Sequence, residues 1–528
     1  MYRILVSDKL GAAALERLQE FSDVAADVKT GLGRDQLLEI IPDYDALIVR
    51  SDTQVTADIL AAAKRLRVVG RAGVGTDNID VKAATMNGVV VMNTPGANSM
   101  ATAEMTLALM LAAGRNIPQA HASLKAGEWQ RGHFVGTQLY GKTLGIIGFG
   151  RVGKLVSERA KAFGMEILVY DPAIMEETAR DLGVLLVELD DLLAESDFVT
   201  LHAALIPATT NLLSGESLAR MKDGAILINA ARGKLLDEFA LAEFLKSGKL
   251  AAAAVDVYAT EPPDADHPLI GLSNVVHTPH LGASTREAQR DVGIQIVTQV
   301  VSALRGSDFT YAVNLPFDIE GNFADIKPYL ELAETLGRLH AGLADKPVKR
   351  IEIEVHGDVV GNLVRAIGAG MLKGVLAQSS NVPVNYINAP ILANERGIAT
   401  TQTIGINNQD YPNLVASRAI WDGGERLLAG VLFGGSEPRI VQIDEYRLEA
   451  KPEGLVLVMR NLDVPGVIGQ VGTLLASHGV NIGEWRLGRV CPGGEAMSFI
   501  NLDTMPSEAT LRELANIEAV THARVVSL

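Results

Sequence analysis

The 528-residue sequence lacks several features that would place it among secreted or membrane proteins. Its one cysteine, Cys491, cannot form a disulfide within the chain, which argues against a secreted scaffold held together by disulfides. No apolar run approaches the roughly 18 residues needed to cross a bilayer. The N-terminus turns polar at Ser7-Asp8-Lys9, so it does not resemble a secretory signal. We therefore expect a soluble, cytoplasmic protein with no membrane partner.

Basic residues are also in deficit. Lys and Arg number 47 against 63 Asp and Glu, which gives a formal net charge of −16. This acidic surplus disfavours a broad contact with a phosphate backbone, so we expect no nucleic-acid partner. Hydrophobic residues make up 48% and charged residues 21%, as in ordinary globular proteins. At about 150 residues per domain, the length suggests three or four domains.

Two series of short apolar runs alternate with helical stretches, which is typical of βαβ units around a parallel sheet. The first series has strands at residues 4–6, 46–49, 68–69 and 89–91. A long apolar helix follows at 99–114. The second series has six strands, at 143–147, 167–170, 198–201, 225–229, 254–257 and 275–277. The pattern predicts an α/β protein with two Rossmann-like, doubly wound parallel-sheet domains.

The alternation of short apolar runs with helical stretches ends at about residue 316. Residues 317–452 contain no dense α/β alternation, and the clearest signal there is a turn at Gly434-Gly435. A smaller unit follows, with strands at 455–459, 482–487, 496–502 and 520–526 and helices at 467–478 and 507–516. That βαββαβ order predicts a ferredoxin-like fold.

A glycine-rich turn follows the strand at 143–147 and opens a helix. Its residues expected to contact a cofactor are Gly148, Gly150, Arg151, Val152 and Gly153. Such a turn alone would fit any α/β domain, but here Asp171 also closes the next strand about 20 residues later. Backbone N–H groups of the turn would hold a pyrophosphate at the helix N-terminus. Asp171 would bind a ribose 2′-hydroxyl and repel a 2′-phosphate, so the spacing predicts NAD rather than NADP.

Three residues that follow successive strands of the second series fit hydride transfer from an alcohol: Arg232, Glu261 and His280. This reaction needs a base for the hydroxyl proton and a cation for a substrate carboxylate. We expect His280 to be the base, with Glu261 fixing its tautomer, and Arg232 to bind the carboxylate through its planar guanidinium. Asp256, at the same sheet edge, is either a nicotinamide or ribose contact or an ordinary turn residue.

The sequence around these residues resembles the D-2-hydroxyacid dehydrogenase family over residues 1 to about 316. The matching segments are Arg71-Ala-Gly-Val-Gly-Thr-Asp-Asn78, Asn93-Thr-Pro95, the glycine turn, Asn229-Ala-Ala-Arg-Gly233, Asp256-Val-Tyr258, Glu261-Pro262 and Pro279-His-Leu-Gly-Ala-Ser-Thr285. The resemblance implies a substrate-binding domain of residues 1–98 with 284–316, around an NAD-binding domain of residues 99–283. In that family an Arg/Glu/His trio does the chemistry, and it falls on the three residues named above.

The resemblance implies further ligand contacts. Those expected for the cofactor, besides the glycine turn and Asp171, are Ala230, Ala231, Arg232, Asp256, His280, Gly282 and Ala283. Those expected for the substrate are Arg50, Ser51, Arg71, Gly73, Val74 and Arg131. Arg50 is the first candidate for a substrate phosphate, and Arg131 resembles a residue that reaches across a dimer interface. Ala203 departs from the family, which often has a Thr hydroxyl there, and we expect a modest loss of cofactor affinity.

The C-terminal half resembles the long bacterial form of the family. Residues 317–452 are similar to its intervening domain, expected to be α+β, and residues 453–528 to an ACT domain, a regulatory module. The ACT ligand loop matches Asn461-Leu-Asp-Val-Pro-Gly466, with Asn481 after the first helix. This implies NAD-dependent oxidation of 3-phospho-D-glycerate to 3-phosphooxypyruvate, the entry to L-serine synthesis. It also implies L-serine as an effector at Asp463 and Asn481. The ACT edges and long helices such as 99–114 favour a homodimer or homotetramer, and no metal is expected.

Two other functions remain open at this point. One is another dehydrogenase of the family, of the 2-hydroxyglutarate or glycerate type. The second is a non-catalytic scaffold that senses NADH, against which the intact trio weighs.

Overall fold

The computed structural model describes residues 1–319, 321–377, 379–380, 382–405 and 411–528. The N-terminal sheet has five parallel strands in the order β2-β1-β3-β4-β5. The strands are β1 Tyr2–Val6, β2 Val24–Val28, β3 Ala46–Val49, β4 Val68–Arg71 and β5 Val90–Met92. The helices that connect them are α1 Ala12–Gln19, α2 Arg34–Ile40, α3 Ala57–Ala62 and α4 Val81–Met86. Sequence analysis missed β2, since this edge strand is largely solvent-facing and lacks a continuous apolar run.

The second sheet has seven parallel strands in the order β12-β11-β10-β9-β6-β7-β8. The strands are β6 Thr143–Ile147, β7 Glu166–Tyr170, β8 Leu185–Leu186, β9 Phe198–Leu201, β10 Ala225–Asn229, β11 Leu250–Val255 and β12 Val275–His277. The helices are α5 Ser99–Gly114, α6 Ile117–Lys125, α7 Arg151–Ala162, α8 Glu176–Asp181, α9 Leu189–Glu195, α10 Gly215–Arg220 and α11 Glu238–Lys246. The predicted α/β class is confirmed. The two-residue strand β8 was not among the six strands predicted for this sheet.

Helix α12, Arg286–Leu304, carries the chain back to the first sheet. A Cβ on Gly70 of β4 would lie 2.4 Å from Val300 Cγ2, so the glycine lets this helix pack closely on the strand. Farther along, the buried Asn314 side chain accepts a hydrogen bond from the Val91 N–H of β5 at 2.9 Å. The chain therefore remains attached to the N-terminal sheet until about residue 314.

Next comes a six-stranded mixed sheet in the order β14-β13-β15-β16-β17-β18. The strands are β13 Arg350–His356, β14 Ala399–Gly405, β15 Leu414–Trp421, β16 Gly424–Phe433, β17 Glu437–Ile443 and β18 Tyr446–Ala450. The helices are α13 Phe323–Leu343, α14 Asp358–Gly361, α15 Val364–Leu376 and α16 Ala389–Glu395. The predicted glycine turn joins β16 to β17, and both of its glycines have positive φ.

The chain ends in a four-stranded antiparallel sheet in the order β20-β21-β19-β22. Its elements are β19 Leu455–Leu462, α17 Val467–Ser477, β20 Ile482–Arg489, β21 Glu495–Leu502, α18 Glu508–Ala515 and β22 Val520–Ser527. The predicted βαββαβ order is confirmed.

Candidate active site

A cleft of about 630 Å³ lies between the carboxyl ends of strands from the two parallel sheets. The first sheet contributes the residues after β3 and β4, and the second contributes the loops after β10, β11 and β12. Because ligands of parallel sheets bind at this edge, the cleft is the natural place for a substrate. Arg232, Glu261 and His280 all line it.

His280 and Glu261 form a direct pair. His280 Nδ1 lies 2.7 Å from Glu261 Oε2, and Glu261 Oε1 accepts the Tyr258 N–H at 3.0 Å. Partial burial would raise the pKa of Glu261, but the hydrogen bonds from His280 and Tyr258 and the nearby Arg232 charge outweigh it and lower that pKa. Glu261 therefore stays ionised near neutral pH and holds the imidazole from one side, with both side chains still open to solvent.

The loop that carries Arg232 is held by Asn229, a buried residue that sequence analysis did not single out. Asn229 Nδ2 donates to the Arg232 carbonyl at 2.9 Å, and its Oδ1 accepts the Ala231 N–H at 3.1 Å. Gly233 follows Arg232, and a Cβ on Gly233 would lie 1.9 Å from the Tyr258 carbonyl carbon. Only glycine lets the Arg232 loop approach the Glu261 loop this closely, which explains the Asn229-to-Gly233 motif.

The Arg232 guanidinium reaches across the cleft to the first sheet. Its Nε donates to Asp77 Oδ2 at 3.2 Å and its Nη1 to the Ala231 carbonyl at 2.7 Å. Its Nη2 lies only 2.1 Å from the point where a Cβ of Gly75 would stand. The guanidinium is thus fixed against the 73–75 loop, where a substrate carboxylate would lie beside backbone N–H groups.

Two other arginines, Arg50 and Arg71, line the same cleft. Among the described residues, no carboxylate lies within ion-pair distance of either guanidinium, and the buried Nε of Arg71 has no hydrogen-bond partner. Burial, reinforced by the Arg232 charge, lowers the pKa of Arg71 to about 10. Asp77 and Asp8 offset part of the Arg71 charge, and an anionic ligand would pair with the two guanidinium groups directly.

The backbone around these arginines is held by two polar side chains. Asp8, which is buried, accepts the Arg50 N–H at 2.5 Å, and Asn78 Nδ2 donates to the Arg50 carbonyl at 2.8 Å. Gly73 has φ +151° and lies against Arg71, since a Cβ there would stand 1.7 Å from Nη1.

Of the four remaining predicted substrate contacts, the structure places three in the cleft and one outside it. Ser51, Gly73 and Val74 line the cleft, although the Ser51 hydroxyl donates to Asp52 at 3.2 Å. Arg131 is exposed on a short 3-10 helix at Arg131–Phe134 and is not among the described residues that line the cleft. In a single chain Arg131 is therefore separated from the other five.

A second cleft of about 450 Å³ adjoins the first. The predicted cofactor residues that line it are Gly150, Arg151, Val152, Ala230, Ala231, Arg232, Asp256, His280, Gly282 and Ala283. Arg232 and His280 line both clefts, so a ligand in one would meet a ligand in the other beside these two side chains. Ala203 also lines the second cleft, where its side chain is a methyl group with no hydroxyl.

The glycine turn has the geometry that a dinucleotide requires. Gly148 has φ +91°, and a Cβ there would lie 2.4 Å from the Ala203 N atom. A Cβ on Gly150 would meet open space, so the backbone is accessible to a phosphate, whereas one on Gly153 would lie 2.4 Å from the Gly148 carbonyl oxygen. Asp171 accepts the Phe149 N–H at 2.7 Å and the Ala173 N–H at 2.9 Å, which places its carboxylate beside the turn. The residues present fit NAD.

Asp256 is fully buried and organises the loop that carries His280. Its Oδ1 accepts the Thr278 hydroxyl at 2.6 Å and the Leu281 N–H at 2.7 Å, and its Oδ2 accepts the Gly282 N–H at 2.8 Å. His280 itself has φ +53°, a left-handed conformation that costs a non-glycine residue energy. Asp256 compensates for that cost by holding the backbone on either side.

Comparison with known proteins agrees with this geometry. Three family models match: the D-isomer specific 2-hydroxyacid dehydrogenase NAD binding domain over residues 107–282, the D-3-phosphoglycerate dehydrogenase intervening domain over 325–444, and the ACT domain over 455–519. The chain is 44% identical to the D-3-phosphoglycerate dehydrogenase of Methanocaldococcus jannaschii, over 98% of this chain and 99% of that protein. It is 40% identical to that of Archaeoglobus fulgidus over 100% of both. The chain belongs to the D-3-phosphoglycerate dehydrogenase family.

A solved structure resembles the first part of this family member. The TT0316 protein from Thermus thermophilus is 37% identical, with a TM-score of 0.55, and the match covers 59% of this chain and 99% of that one. The NAD-binding domain of the family includes the glycine turn, Asp171 and the His280 loop, so the cofactor is NAD. The full-length relatives confirm the predicted resemblance over the whole chain.

The ACT domain holds the two predicted effector residues apart. Asp463 follows β19, and its Oδ2 accepts Arg489 Nη1 at 2.9 Å; the hydrogen bonds from Arg489 and the Gly493 N–H lower its pKa. Asn481 precedes β20 and donates to Asp503 at 2.7 Å. Because β19 ends opposite Glu495 and β20 begins opposite Leu502, the two residues lie at opposite ends of the sheet. Eight residues of strand span roughly 26 Å, too far for one small effector to touch both within one chain.

The described residues contain neither a candidate membrane helix nor a candidate metal centre. No helix among them is long and apolar enough to cross a membrane. No cluster of three or more His, Cys, Asp or Glu side chains among them could hold a metal ion.

Proposed function

We propose that this chain oxidises 3-phospho-D-glycerate to 3-phosphooxypyruvate with NAD, the first step of L-serine synthesis. One observation carries the proposal: the His280–Glu261 pair and Arg232 stand where the two clefts meet, beside Arg50 and Arg71, which have no acidic partner among the described residues. Full-length relatives that bear the name D-3-phosphoglycerate dehydrogenase support it.

The proton path begins at His280. Because Nδ1 faces the Glu261 carboxylate, Nδ1 carries the hydrogen and the Nε2 lone pair is left to accept a proton. We infer that Nε2 takes the substrate hydroxyl proton, and that Glu261 stabilises the resulting imidazolium. Bound NAD would supply the acceptor for the hydride that leaves the substrate carbon bearing this hydroxyl. In the reverse direction His280 returns the proton as an acid.

The arginines divide the substrate's two anionic groups. Arg232, fixed against the 73–75 loop, is proposed to hold the carboxylate and the oxygen that becomes a carbonyl. Arg50 and Arg71 are proposed to hold the phosphate. Their position on the first sheet, across the cleft from His280, leaves the carbon that reacts between the two groups.

The decisive experiment is a turnover assay with NAD on three substrates: 3-phospho-D-glycerate, D-glycerate and D-2-hydroxyglutarate. We expect the phosphorylated acid to have the highest kcat/KM. R50A and R71A should raise its KM about 10-fold or more, because each removes a cation from the phosphate. R65A is the control, since Arg65 pairs with Asp45 outside the cleft. H280A should lower kcat about 10²–10⁴-fold while NADH binding, measured by fluorescence, is retained.

Three results would contradict the proposal. A preference for D-glycerate or D-2-hydroxyglutarate would assign the chain to another reaction of the family. Full turnover by H280A would remove the base. NADH binding without turnover of any of the three acids would favour a sensing scaffold.

We infer the domain limits from the packing. Residues 1–98 with 284–316 form the substrate-binding domain, because α12 and Asn314 join the first sheet. Residues 99–283 form the NAD-binding domain, 317–452 the intervening domain and 453–528 the ACT domain. With a single cysteine and no candidate membrane helix among the described residues, we place the enzyme in the cytoplasm.

We also infer that L-serine regulates the enzyme at the ACT domain and that the chain is a homodimer or homotetramer. Asp463 and Asn481 are at opposite ends of one sheet, so a single effector could touch both only between two copies of the chain. The exposed Arg131 would likewise meet substrate only from a second copy. A monomer by light scattering, or no binding of L-serine by calorimetry, would contradict this inference.

A further inference from the structure

Glu238, at the start of α11, is a buried carboxylate that the proposed reaction does not use. Only 6% of the residue is exposed. A carboxylate seldom lies this deep unless it is paired or hydrogen-bonded, so its partners indicate what it does.

Both oxygens of Glu238 point to the loop that carries Glu261. Its Oε1 accepts the Ala259 N–H at 3.0 Å, and its Oε2 lies 3.2 Å from His267 Nε2. His267 packs edge-on against the Tyr258 ring, with 5.5 Å between ring centroids. Glu238 and His267 therefore hold the 258–259 backbone from positions that line neither cleft.

The same short stretch of backbone fixes the proton-transfer pair. The Tyr258 N–H donates to Glu261 Oε1, and Glu261 Oε2 meets His280 Nδ1. The Tyr258 hydroxyl is also anchored, 2.8 Å from His277 Nδ1. A displacement of residues 258–259 would thus move the carboxylate that orients His280.

We propose that Glu238 is a positioning residue for proton transfer: it holds the 258–259 backbone so that Glu261 meets His280. The inference rests on the proposed roles of Glu261 and His280 in the reaction. Glu238 does not touch either cleft; it acts through the backbone and through Glu261.

Three variants separate positioning from simple stability. E238D keeps the charge, but its carboxylate is one methylene too short to reach both partners. E238Q keeps an oxygen that can accept the Ala259 N–H. The control is D237A, which removes the neighbouring N-cap of α11, where Asp237 accepts the Phe239 and Ala240 N–H groups and leaves the 258–259 loop alone.

The readouts are kcat, KM and the pH profile of kcat/KM for 3-phospho-D-glycerate, with circular dichroism and NADH fluorescence as controls. The charged or titratable groups around the pair are Arg232 beside Glu261, Asp256 beneath the His280 loop, and His267 beside Glu238. E238D should lower kcat about 10- to 100-fold at nearly constant KM. Its low-pH limb should move to lower pH, because the imidazolium loses a well-placed carboxylate. E238Q should keep kcat within about threefold of the wild-type value, since the hydrogen bond from the Ala259 N–H remains.

The outcomes distinguish this inference from the proposed function. If H280A abolishes turnover but folded E238D has the wild-type kcat and pH profile, Glu238 is only structural and the inference is wrong. A shift of the D237A profile equal to that of E238D would also overturn it, because the effect would then come from loosening α11. Turnover by H280A would overturn the proposed function itself, whatever the Glu238 variants do.

Discussion

Asp171 illustrates how single side chains near the clefts combine structural and ligand-binding tasks. Its two oxygens accept backbone N–H groups from Phe149 in the glycine turn after β6 and from Ala173 after β7. A carboxylate has about four lone-pair sites, so two remain for ribose hydroxyls. We expect its negative charge to repel the 2′-phosphate of NADP.

The residue-scale prediction concerns cofactor choice. D171N removes the charge but keeps an oxygen that can accept one of the two N–H groups. We expect the KM for NAD to rise about 10-fold, since hydrogen bonds to a charged acceptor are worth about 1.5–3 kcal/mol. Turnover with NADP should rise because the repulsion is gone. D181N, at the exposed end of α8, is the control; an unchanged NAD/NADP ratio in D171N would contradict the prediction.

A site residue could be predicted when its role follows from the local sequence. The glycine turn and the residues after β10, β11 and β12 follow from strand and loop spacing, and they do gather at one sheet edge. Asn229 stands in a quoted motif and bonds to backbone two and three residues away, but its role in holding the Arg232 loop became evident only from the structure. Glu238 could not be found this way, because its importance comes from a hydrogen bond to backbone brought near by folding. Glu238 lies 21 residues from its partner Ala259.

At the scale of elements, the helix pair α13 and α15 forms the centre of the intervening domain. Glycines bring the two backbones into contact: a Cβ on Gly337 would lie 2.2 Å from the Met371 carbonyl oxygen, and one on Gly374 would lie 2.0 Å from that of Glu334. The six-stranded sheet packs against this pair. The sheet was not predicted from the sequence, since β13 and β15 alternate in burial and lack the continuous apolar runs of a parallel sheet.

His340 gives a prediction for α13. It is fully buried with its Nε2 2.8 Å from Ser417 Oγ, and burial, with the nearby Arg426 charge, lowers its pKa to about 3. The unfolded chain protonates this residue below about pH 6.5, whereas the folded chain does not. Because the unfolded state then binds more protons, stability falls as the pH drops from about 6.5 toward 3, by about 1.4 kcal/mol per unit once the difference is complete.

H340Q removes this titration while keeping a group that can hydrogen-bond Ser417. Calorimetric unfolding of the whole chain at pH 7.5 and 5 should show a smaller loss of stability for H340Q than for the wild type. H202Q is a useful comparison, since burial also lowers the pKa of His202, to about 4, in a different domain. Equal pH sensitivity of H340Q and wild type in the unfolding of the intervening domain would contradict the prediction.

At the scale of the whole molecule, a chain of contacts leads from the ACT domain through the intervening domain to the first cleft. Arg524 of β22 donates to the Ala344 carbonyl at the end of α13 at 2.8 Å, and the two domains share one hydrophobic core. From the intervening domain, Asn385 Nδ2 donates to the Gly88 carbonyl at 2.5 Å. Gly88 leads into β5, beyond which the Thr94 N–H donates to the Gly73 carbonyl of the cleft at 2.9 Å.

This connection predicts that Asn385 transmits the proposed L-serine effect. N385D keeps the oxygen that accepts the Ile387 and Asn388 N–H groups, but it replaces the donor to Gly88 with a repelling carboxylate. We expect uninhibited turnover within about twofold of wild type, because no cleft residue is changed, and a several-fold weaker response to L-serine, since typical coupling energies are about 1–3 kcal/mol. N394A, on the exposed face of α16, should respond like the wild type. An unchanged inhibition curve for N385D would show that the signal crosses elsewhere.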